Sequence, residues 1–336
     1  MLKLDNTKRS DYVSCLRKYD IKWHHHIHSY NNSTALRYGI GFHGCMEGFY
    51  KHIAEHGWGE VAQAMGMGSA KGMEEFNRDS EKFIYYPDYR TLENMGKSLI
   101  QYIDEFRHDE GFLKIIETEK VFEILITPTP MELKWFPGVE PFIYTGRLDL
   151  EVELSNMPWI VEFKTTGQPL SVQKSRLHRL TQVMGYIYAG RLVFSTPPEG
   201  SLMVLHHLSA YAKKKDGQKT GEYGSPKIQF ERVPLIFTDD DLLSFRIGLL
   251  SDAWKLQLHS KSNFYPYRHY SCYTYGQCSY VDLCEQNLPV ENCRLGDKYF
   301  IDSDPWHVAK DTDPKNIITL TEDNTKWLEL QQKIYN

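Results

Sequence analysis

Hydrophobic and polar positions change period several times along the chain, and each change marks an element. Residues 33–56 carry Leu36, Ile40, His43 and Phe49 at helical spacing behind Ser33, a residue type that caps helix N-termini. This predicts a helix with those four along its organising stripe. The stretch that follows, GWGEVAQAMGMGSAKGMEEF from Gly57, is rich in Gly and Met and reads as a mobile connection. A further helix is predicted over residues 89–106, then a strand near 120–126.

The centre of the chain has a different period. Residues 142–154 (FIYTGRLDLEVEL) alternate as a strand does, and 159–165 (WIVEFKT) reads as its neighbour, with Asn156 and Pro158 supplying the turn of a β-hairpin. A long helical pattern runs from about residue 172 to 192, followed by a strand at 202–209. KKKDGQKTGEYGSP, from Lys213, reads as a polar loop leading to a strand at 228–236. A helix capped near Thr238 comes next, its three aspartates favouring a helix N-terminus. The tail beyond Cys293, broken by Pro305 and Pro314, is expected to be loosely structured. The order of elements predicts an α/β core with a mixed sheet and helices on both faces.

Composition bounds the answer without sharpening it. The 336 residues are 41% hydrophobic and 25% charged, as in ordinary globular proteins. No apolar run approaches the roughly 18 residues of a membrane span. The N-terminal MLKLDNTKRSDYVSC has no apolar signal core, so a cytoplasmic protein is expected. Six cysteines in a reducing compartment then point to metal rather than disulfides. A net charge of −5 does not announce a nucleic-acid binder, although only a local groove needs to be positive.

The hairpin carries the candidate chemistry. Asp149 lies on its first strand; Glu162 and Lys164, two apart on the second, share a face, while Phe163 points away. Two carboxylates on paired strands can share one hard divalent cation. A lysine beside that ion can position or deprotonate a water, which is the chemistry of phosphodiester hydrolysis. The bland reading is a salt-bridged surface hairpin. Against it, Leu148, Leu150, Ile160 and Val161 surround the carboxylates with apolar residues, and buried carboxylates need partners or metal.

The cysteines form a second constellation. Cys272, Cys278 and Cys284 are evenly spaced in SCYTYGQCSYVDLCEQN, suggesting zinc or an iron–sulfur cluster. A fourth ligand is needed, and both Cys15 and Cys293 qualify. Cys45 reads as a small buried hydrophobe. His24, His25, His26 and His28 read as surface residues, and Lys213, Lys214, Lys215 and Lys219 as a solvated loop. Phe264, Tyr265, Tyr267, Tyr270, Tyr273 and Tyr275 read as packing around the cysteines, with stacking on single-stranded bases as the alternative.

Gly146-Arg-Leu-Asp149, Glu162-Phe-Lys164 and Gln182-Val-Met-Gly-Tyr186 resemble, in order, the GxxD, (D/E)xK and QxxxY motifs of RecB-like PD-(D/E)XK nucleases. Leu148 stands where the family's proline often precedes the first aspartate. The resemblance implies a restriction-endonuclease-like core with a central mixed sheet flanked by helices. It implies Asp149, Glu162, Lys164, Gln182 and Tyr186 as catalytic residues, with the glutamine orienting the lysine and the tyrosine meeting DNA. ALRYGIGFHGCMEGFY resembles the helix that brings a histidine to the metal. The implied ligands of Mg2+ or Mn2+ are therefore His43, Asp149, Glu162 and the backbone carbonyl of Phe163, with Glu47 read either as a support one turn on or as a solvated glutamate.

The N-terminal Cys15, in DYVSCLRKYDIKW, resembles the cluster cysteine of AddB-type and CRISPR-associated RecB-like exonucleases, where one cysteine precedes the nuclease core and three follow it. This implies Cys15, Cys272, Cys278 and Cys284 holding a [4Fe-4S] cluster that joins N- and C-terminal helical parts. Zn2+ is the alternative, as is a local site with Cys293. The longer first gap departs from the tighter C-x-x-C step of many relatives.

The resulting division is a helical region at 1–110 with one cluster cysteine and the histidine ligand, a nuclease core at 111–260, a cysteine segment at 261–295 and a tail at 296–336. The implied function is an end-dependent DNA exonuclease of recombination, repair or phage DNA metabolism, working in the cytoplasm, or the host's if phage-encoded. DNA ends, single-stranded or duplex, are the implied partner, with no membrane; a recombination or helicase partner and a homo-oligomer are both compatible. A catalytically silent nucleic-acid-binding subunit and a site-specific endonuclease are the alternatives.

Overall fold

In the computed structural model the described residues are all but 216–217, 267–268, 274–276, 304–306, 311, 324–326 and 328–336, together with the side chains of 215, 218–221 and 269. In chain order the elements are β1 (Lys3–Leu4), α1 (Asn6–Ser14), α2 (Leu16–Tyr19), β2 (Ile27–Ser29), α3 (Thr34–His56), α4 (Val61–Asn77), α5 (Leu92–Glu105) and β3 (Leu113–Ile126). There follow α6 (Pro130–Trp135), β4 (Phe142–Leu154), β5 (Met157–Thr166), α7 (Leu170–Lys174), α8 (Thr181–Val193), β6 (Gly200–Ser209), β7 (Ala212–Lys215) and β8 (Gln218–Tyr223). The last are β9 (Lys227–Leu235), α9 (Asp239–Ser262), α10 (Val281–Glu285), β10 (Tyr299–Ile301) and β11 (Ile318–Thr321). The main sheet has the strand order β11-β3-β4-β5-β6-β9, with β1 also beside β4, and it mixes parallel and antiparallel pairs. No helix among the described residues is long and apolar enough to cross a membrane.

The chain forms two compact units, and the first to consider comprises Asn32–Lys120 and Leu148–Ile236. Its hairpin turns at Ser155 and Asn156, both left-handed (φ 53° and 63°), as a two-residue turn between right-twisted strands requires. Pro158, expected in the turn, instead pairs with Glu153 inside the ladder. β5 runs parallel to β6 from Trp159↔Gly200 to Thr166↔His207, and β6 runs antiparallel to β9. A parallel pair needs a crossover. Here α7 and α8 supply it, so the single helix expected over 172–192 is broken, with a 3-10 turn at Leu177–Arg179 between its parts. The segment from Lys213, expected as a loop, pairs as the β7–β8 ribbon.

Ser33 caps α3 as expected, its hydroxyl accepting from Leu36 N at 3.3 Å. The buried stripe, however, is Tyr38, Phe42, Cys45, Met46, Phe49, Tyr50 and Ile53, whereas Leu36 and Ile40 are 54% and 44% exposed. The stretch after Gly57, expected as a mobile connection, is largely the 17-residue helix α4. Its glycines explain the fold: a Cβ on Gly72 would lie 2.1 Å from Cys45 Sγ, and one on Gly68 2.7 Å from the Cys45 carbonyl. On α3, Gly44 and Gly48 meet α4 equally closely. Small residues on both helices let the backbones approach to a distance that no larger side chain permits. α3 and α5 pack Phe42, Phe49 and Tyr102 against Val161 and Phe163 of β5. The alternate residues of β5 face α8, where Gly190 meets Ile160 and Gln182 meets Glu162. Helices thus cover both faces of this part of the sheet.

The second unit comprises Met1–Asn31, Val121–Arg147 and Phe237–Asn336. Thr238 and Asp241 form a capping box at the start of α9, as the sequence suggests. Arg246 in that helix is fully buried and ion-paired to Glu132, at 2.8 Å, and to Glu322. The described part of the tail is more ordered than its prolines imply: β10 pairs with β2, β11 pairs parallel to β3, and Glu322 and Trp327 are buried. Pro305 lies outside the described residues. A small apolar cluster of Ile21, Ile27, Tyr280, Leu283, Val290 and Tyr299 sits against Cys278, Cys284 and Cys293.

Candidate active site

Strand pairing brings the two hairpin carboxylates together. Leu150 pairs with Val161, and one position further along Asp149 Oδ2 accepts the backbone N–H of Phe163 at 2.9 Å. From α3, His43 Nδ1 reaches the same oxygen at 3.3 Å. From α8, Gln182 Nε2 donates to Glu162 Oε1 at 2.8 Å and to the hydroxyl of Tyr186, one helical turn on, at 3.2 Å. Tyr186 is itself buried. The other carboxylate oxygen, Glu162 Oε2, is buried without a hydrogen-bond partner. Lys164 is exposed, and its charge acts on both Glu162 and His43.

Electrostatics mark the same spot. Burial, and then the adjacent Asp149 charge, push the Glu162 carboxyl well above the ordinary carboxylate range; Lys164 opposes this and Glu119 adds to it. Burial works against the His43 imidazolium, but the charge and hydrogen bond of Asp149 outweigh it and leave its pKa raised. A narrow recess is lined by His43, Glu47, Glu119, Asp149 and Phe163, with Tyr50 beside them.

Glu119 is the residue that sequence reasoning missed. The strand was expected to begin at Lys120, but β3 starts at Leu113 and kinks at Glu119, whose φ of 51° lies in the left-handed region. The signal in the sequence was the ETEK run at 117–120. Its lysine is held by Glu117 at 3.0 Å and Glu151 at 2.7 Å, while Glu119 lines the recess.

The donor set suits a hard divalent cation. Carboxylate oxygens from two strands and one imidazole nitrogen converge, and a buried oxygen lacks the partner that burial demands. Among the described residues no group of three or more His, Cys, Asp or Glu side chains is gathered closely enough to hold an ion as it stands.

The other unit brings four of the cysteines near one another. The Cys272 thiol is raised by burial and by Cys278 and Cys15; Cys284 is pushed up to about 12 by burial first, then by Cys15, Cys278 and Cys272, with Arg17 opposing. Cys278 N–H donates to the Cys272 carbonyl at 2.8 Å, and Ser271 Oγ donates to the Ser14 carbonyl at 2.5 Å, which ties the segment to the end of α1. Cys293 instead faces the carbonyls of Leu283, Leu288 and Pro289. Cys45 is buried against α4, its thiol raised by burial to about 12.

The remaining aromatic and charged runs are mostly peripheral. Phe264, Tyr270 and Tyr273, expected to pack around the cysteines, are at least 63% exposed, whereas Tyr265 is buried beside His24. Tyr267 and Tyr275 lie outside the described residues. His24 and His25 are partly exposed and lie near Asp20. Lys213 pairs with Glu222 across the β7–β8 ribbon, and the Lys215 and Lys219 side chains lie outside the description.

A family model of the PD-(D/E)XK nuclease superfamily matches residues 6–285, and the chain belongs to that superfamily. The central mixed sheet flanked by helices is the restriction-endonuclease-like fold that the motifs imply. Among solved structures, the chain aligns with a crystal structure from Eubacterium rectale described as a "Putative exonuclease", at 12% identity, TM-score 0.42 and 93% coverage of each chain. A second aligns at 12% identity and TM-score 0.25, over 68% of this chain and 78% of that one. No curated protein sequence matches significantly.

Proposed function

We propose that the chain is a metal-dependent deoxyribonuclease of the RecB-like branch that acts at DNA ends. The observation that carries this reading is the meeting of His43 and Asp149 at one recess, with Glu162 close enough to feel the Asp149 charge and its Oε2 buried and unpartnered. In this reading Asp149, Glu162, His43 and the Phe163 carbonyl hold Mg2+ or Mn2+, and Glu119 adds a further carboxylate. The ion, when bound, supplies charge neutralisation at the scissile phosphate and a more acidic water. Lys164 positions that water and offsets developing negative charge. Gln182 engages Glu162 Oε1, so that Oε2 stays free for the ion, and Tyr186 holds the Gln182 amide.

We also propose that Cys15, Cys272, Cys278 and Cys284 hold an iron–sulfur cluster. The nearness of Cys15 and Cys278 to both the Cys272 and the Cys284 thiols supports this ligand set, as does Cys293 facing backbone carbonyls instead.

Purified protein with Mg2+ or Mn2+ should be tested on end-labelled linear single strands, linear duplex and closed circles under identical salt. Linear substrates are expected to be degraded much faster, and rising salt to slow the reaction through lost phosphate contacts. Equal initial rates on a closed single-stranded circle and its linearised form defeat end dependence. No cleavage of any substrate defeats the enzymatic reading.

A further inference from the structure

We infer that Tyr50, Tyr102 and Arg232 are positioning residues: acting through the ring of Phe163, they hold the strand backbone between Glu162 and Lys164 in the setting that the metal ion needs. This rests on the nuclease reading above and extends it to the opposite face of β5.

The peptide of Phe163 is where the strand leaves its ladder. β4 and β5 pair from Leu154↔Met157 to Leu150↔Val161, and past that point the Phe163 N–H donates to the Asp149 side chain at 2.9 Å. In a strand the N–H and C=O of one residue point to the same side, so the Phe163 carbonyl, a proposed ligand, is turned the same way. The aim of that carbonyl then depends on what grips the residue's side chain.

Side chains alternate along a strand, so the Phe163 ring points away from Glu162 and Lys164 and into the core. Its centroid lies 6.1 Å from that of Tyr50, 6.0 Å from Tyr102 and 6.4 Å from His43, itself a proposed ligand. Tyr50 also lines the recess. The two tyrosines are tethered at their far ends. Their hydroxyls bond each other at 2.8 Å, and Arg232 Nη2 donates to the Tyr102 hydroxyl at 2.8 Å. Both Nη atoms of Arg232 also donate to Asp109, at 2.6 and 2.5 Å, and its guanidinium lies 3.7 Å from the centroid of Phe106. A continuous chain therefore runs from the Asp109–Arg232 ion pair through two hydroxyls to the ring that sits between the catalytic glutamate and lysine.

Stability alone does not call for this chain. Tyr50 and Tyr102 are 2% and 1% exposed, and phenylalanine at both positions would fill the same space with no polar group to satisfy. Burying hydroxyls and an ion pair carries a desolvation cost that an apolar core avoids. What the hydrogen bonds add is direction: rings packed by dispersion alone can slide, and rings tied at their hydroxyls cannot.

Tyr50→Phe and Tyr102→Phe each remove one oxygen and keep the ring. In the full chain, Mn2+ binding without DNA is read from the paramagnetic resonance signal of the free ion, and cleavage of an end-labelled strand is measured across Mn2+ and DNA concentrations. Each variant is expected to weaken Mn2+ binding, and to raise the Mn2+ midpoint for cleavage, by about tenfold, as loss of a group that orients a ligand does. KM for DNA at saturating Mn2+ should stay within about twofold, since the tyrosines act on the ion's ligands and not on DNA binding. Leu208→Ala, in the same core on β6, controls for general loosening and should leave both Mn2+ values unchanged. Parental Mn2+ values in either tyrosine variant break the chain and overturn the inference while leaving the nuclease reading intact, as does an equal shift in Leu208→Ala. A parent that neither binds Mn2+ nor cleaves overturns both.

Discussion

Gln182 donates to one oxygen of the Glu162 carboxylate at 2.8 Å, while the other oxygen stays buried with no partner. Such an arrangement is unfavourable for the protein alone, because burying an unpartnered carboxylate oxygen beside the Asp149 charge costs stability. Glu162→Gln should therefore have opposite effects on stability and turnover. Without metal, the variant is expected to unfold at higher denaturant than the parent, by about 1–2 kcal/mol. Its cleavage rate with Mg2+ should fall by about a hundredfold or more, as for Asp149→Ala and Lys164→Ala. Parental cleavage by any of the three variants removes that residue from the site.

The contact between Gly72 and Cys45 predicts a specific rescue. A Cβ at Gly72 would sit 2.1 Å from Cys45 Sγ, so Gly72→Ala should destabilise the protein by about 2–4 kcal/mol through overpacking. Adding Cys45→Gly clears that sulfur and should recover part of the loss, although the Gly41 carbonyl 2.9 Å away remains. A double-mutant cycle from urea unfolding reads the coupling. Strict additivity would rule out the sulfur as the obstacle.

His206 gives the protein an acid-sensitive core. Its ring is fully buried between Phe42 and Phe230, both nitrogens lack hydrogen-bond partners, and burial first, then His207, lowers its pKa to about 3. The folded pKa lies below the unfolded value of about 6.5, so this contribution is intact above pH 6.5 and is lost as pH falls towards 3. Between pH 6.5 and 5 the cost is about 2 kcal/mol. Unfolding at the two pH values should show His206→Phe losing less stability than the parent by about that amount. Equal acid sensitivity of parent and variant would place the titrating group elsewhere.

Anaerobically purified protein is expected to be brown and to contain iron. Cys15→Ala should bleach it as fully as Cys284→Ala, while Cys45→Ala and Cys293→Ala should keep the colour. Zinc without iron, or colour that survives loss of Cys15, moves the ligand set to Cys293 and removes the tie between the chain's two ends.

Much of the site is legible because strand and helix periods are short-range. Alternation along 142–154 and 159–165 suffices to bring Asp149 towards Glu162, and the four-residue step suffices to align Gln182 with Tyr186. Features set by a partner element are not legible in this way. The glycines of α4 read as a loop until the matching glycines of α3 are set against them. Glu119 depends on a left-handed kink that its sequence does not demand. Leu36 and Ile40 share a stripe with His43, but periodicity cannot say which stripe faces water.

The compact units interleave along the chain: the polypeptide passes from one to the other after Asn31, Lys120, Arg147 and Ile236. Two of these passages fall inside β3 and β4, not in linkers. No single cut therefore releases either unit whole. A fragment expressed to isolate the carboxylates would carry strands severed halfway, and one expressed to isolate the cysteines would lack the 121–147 segment or drag the catalytic hairpin with it. Gene fusions and split-protein reporters are better placed in the Ser155–Asn156 turn, where an insertion leaves all four passages uncut.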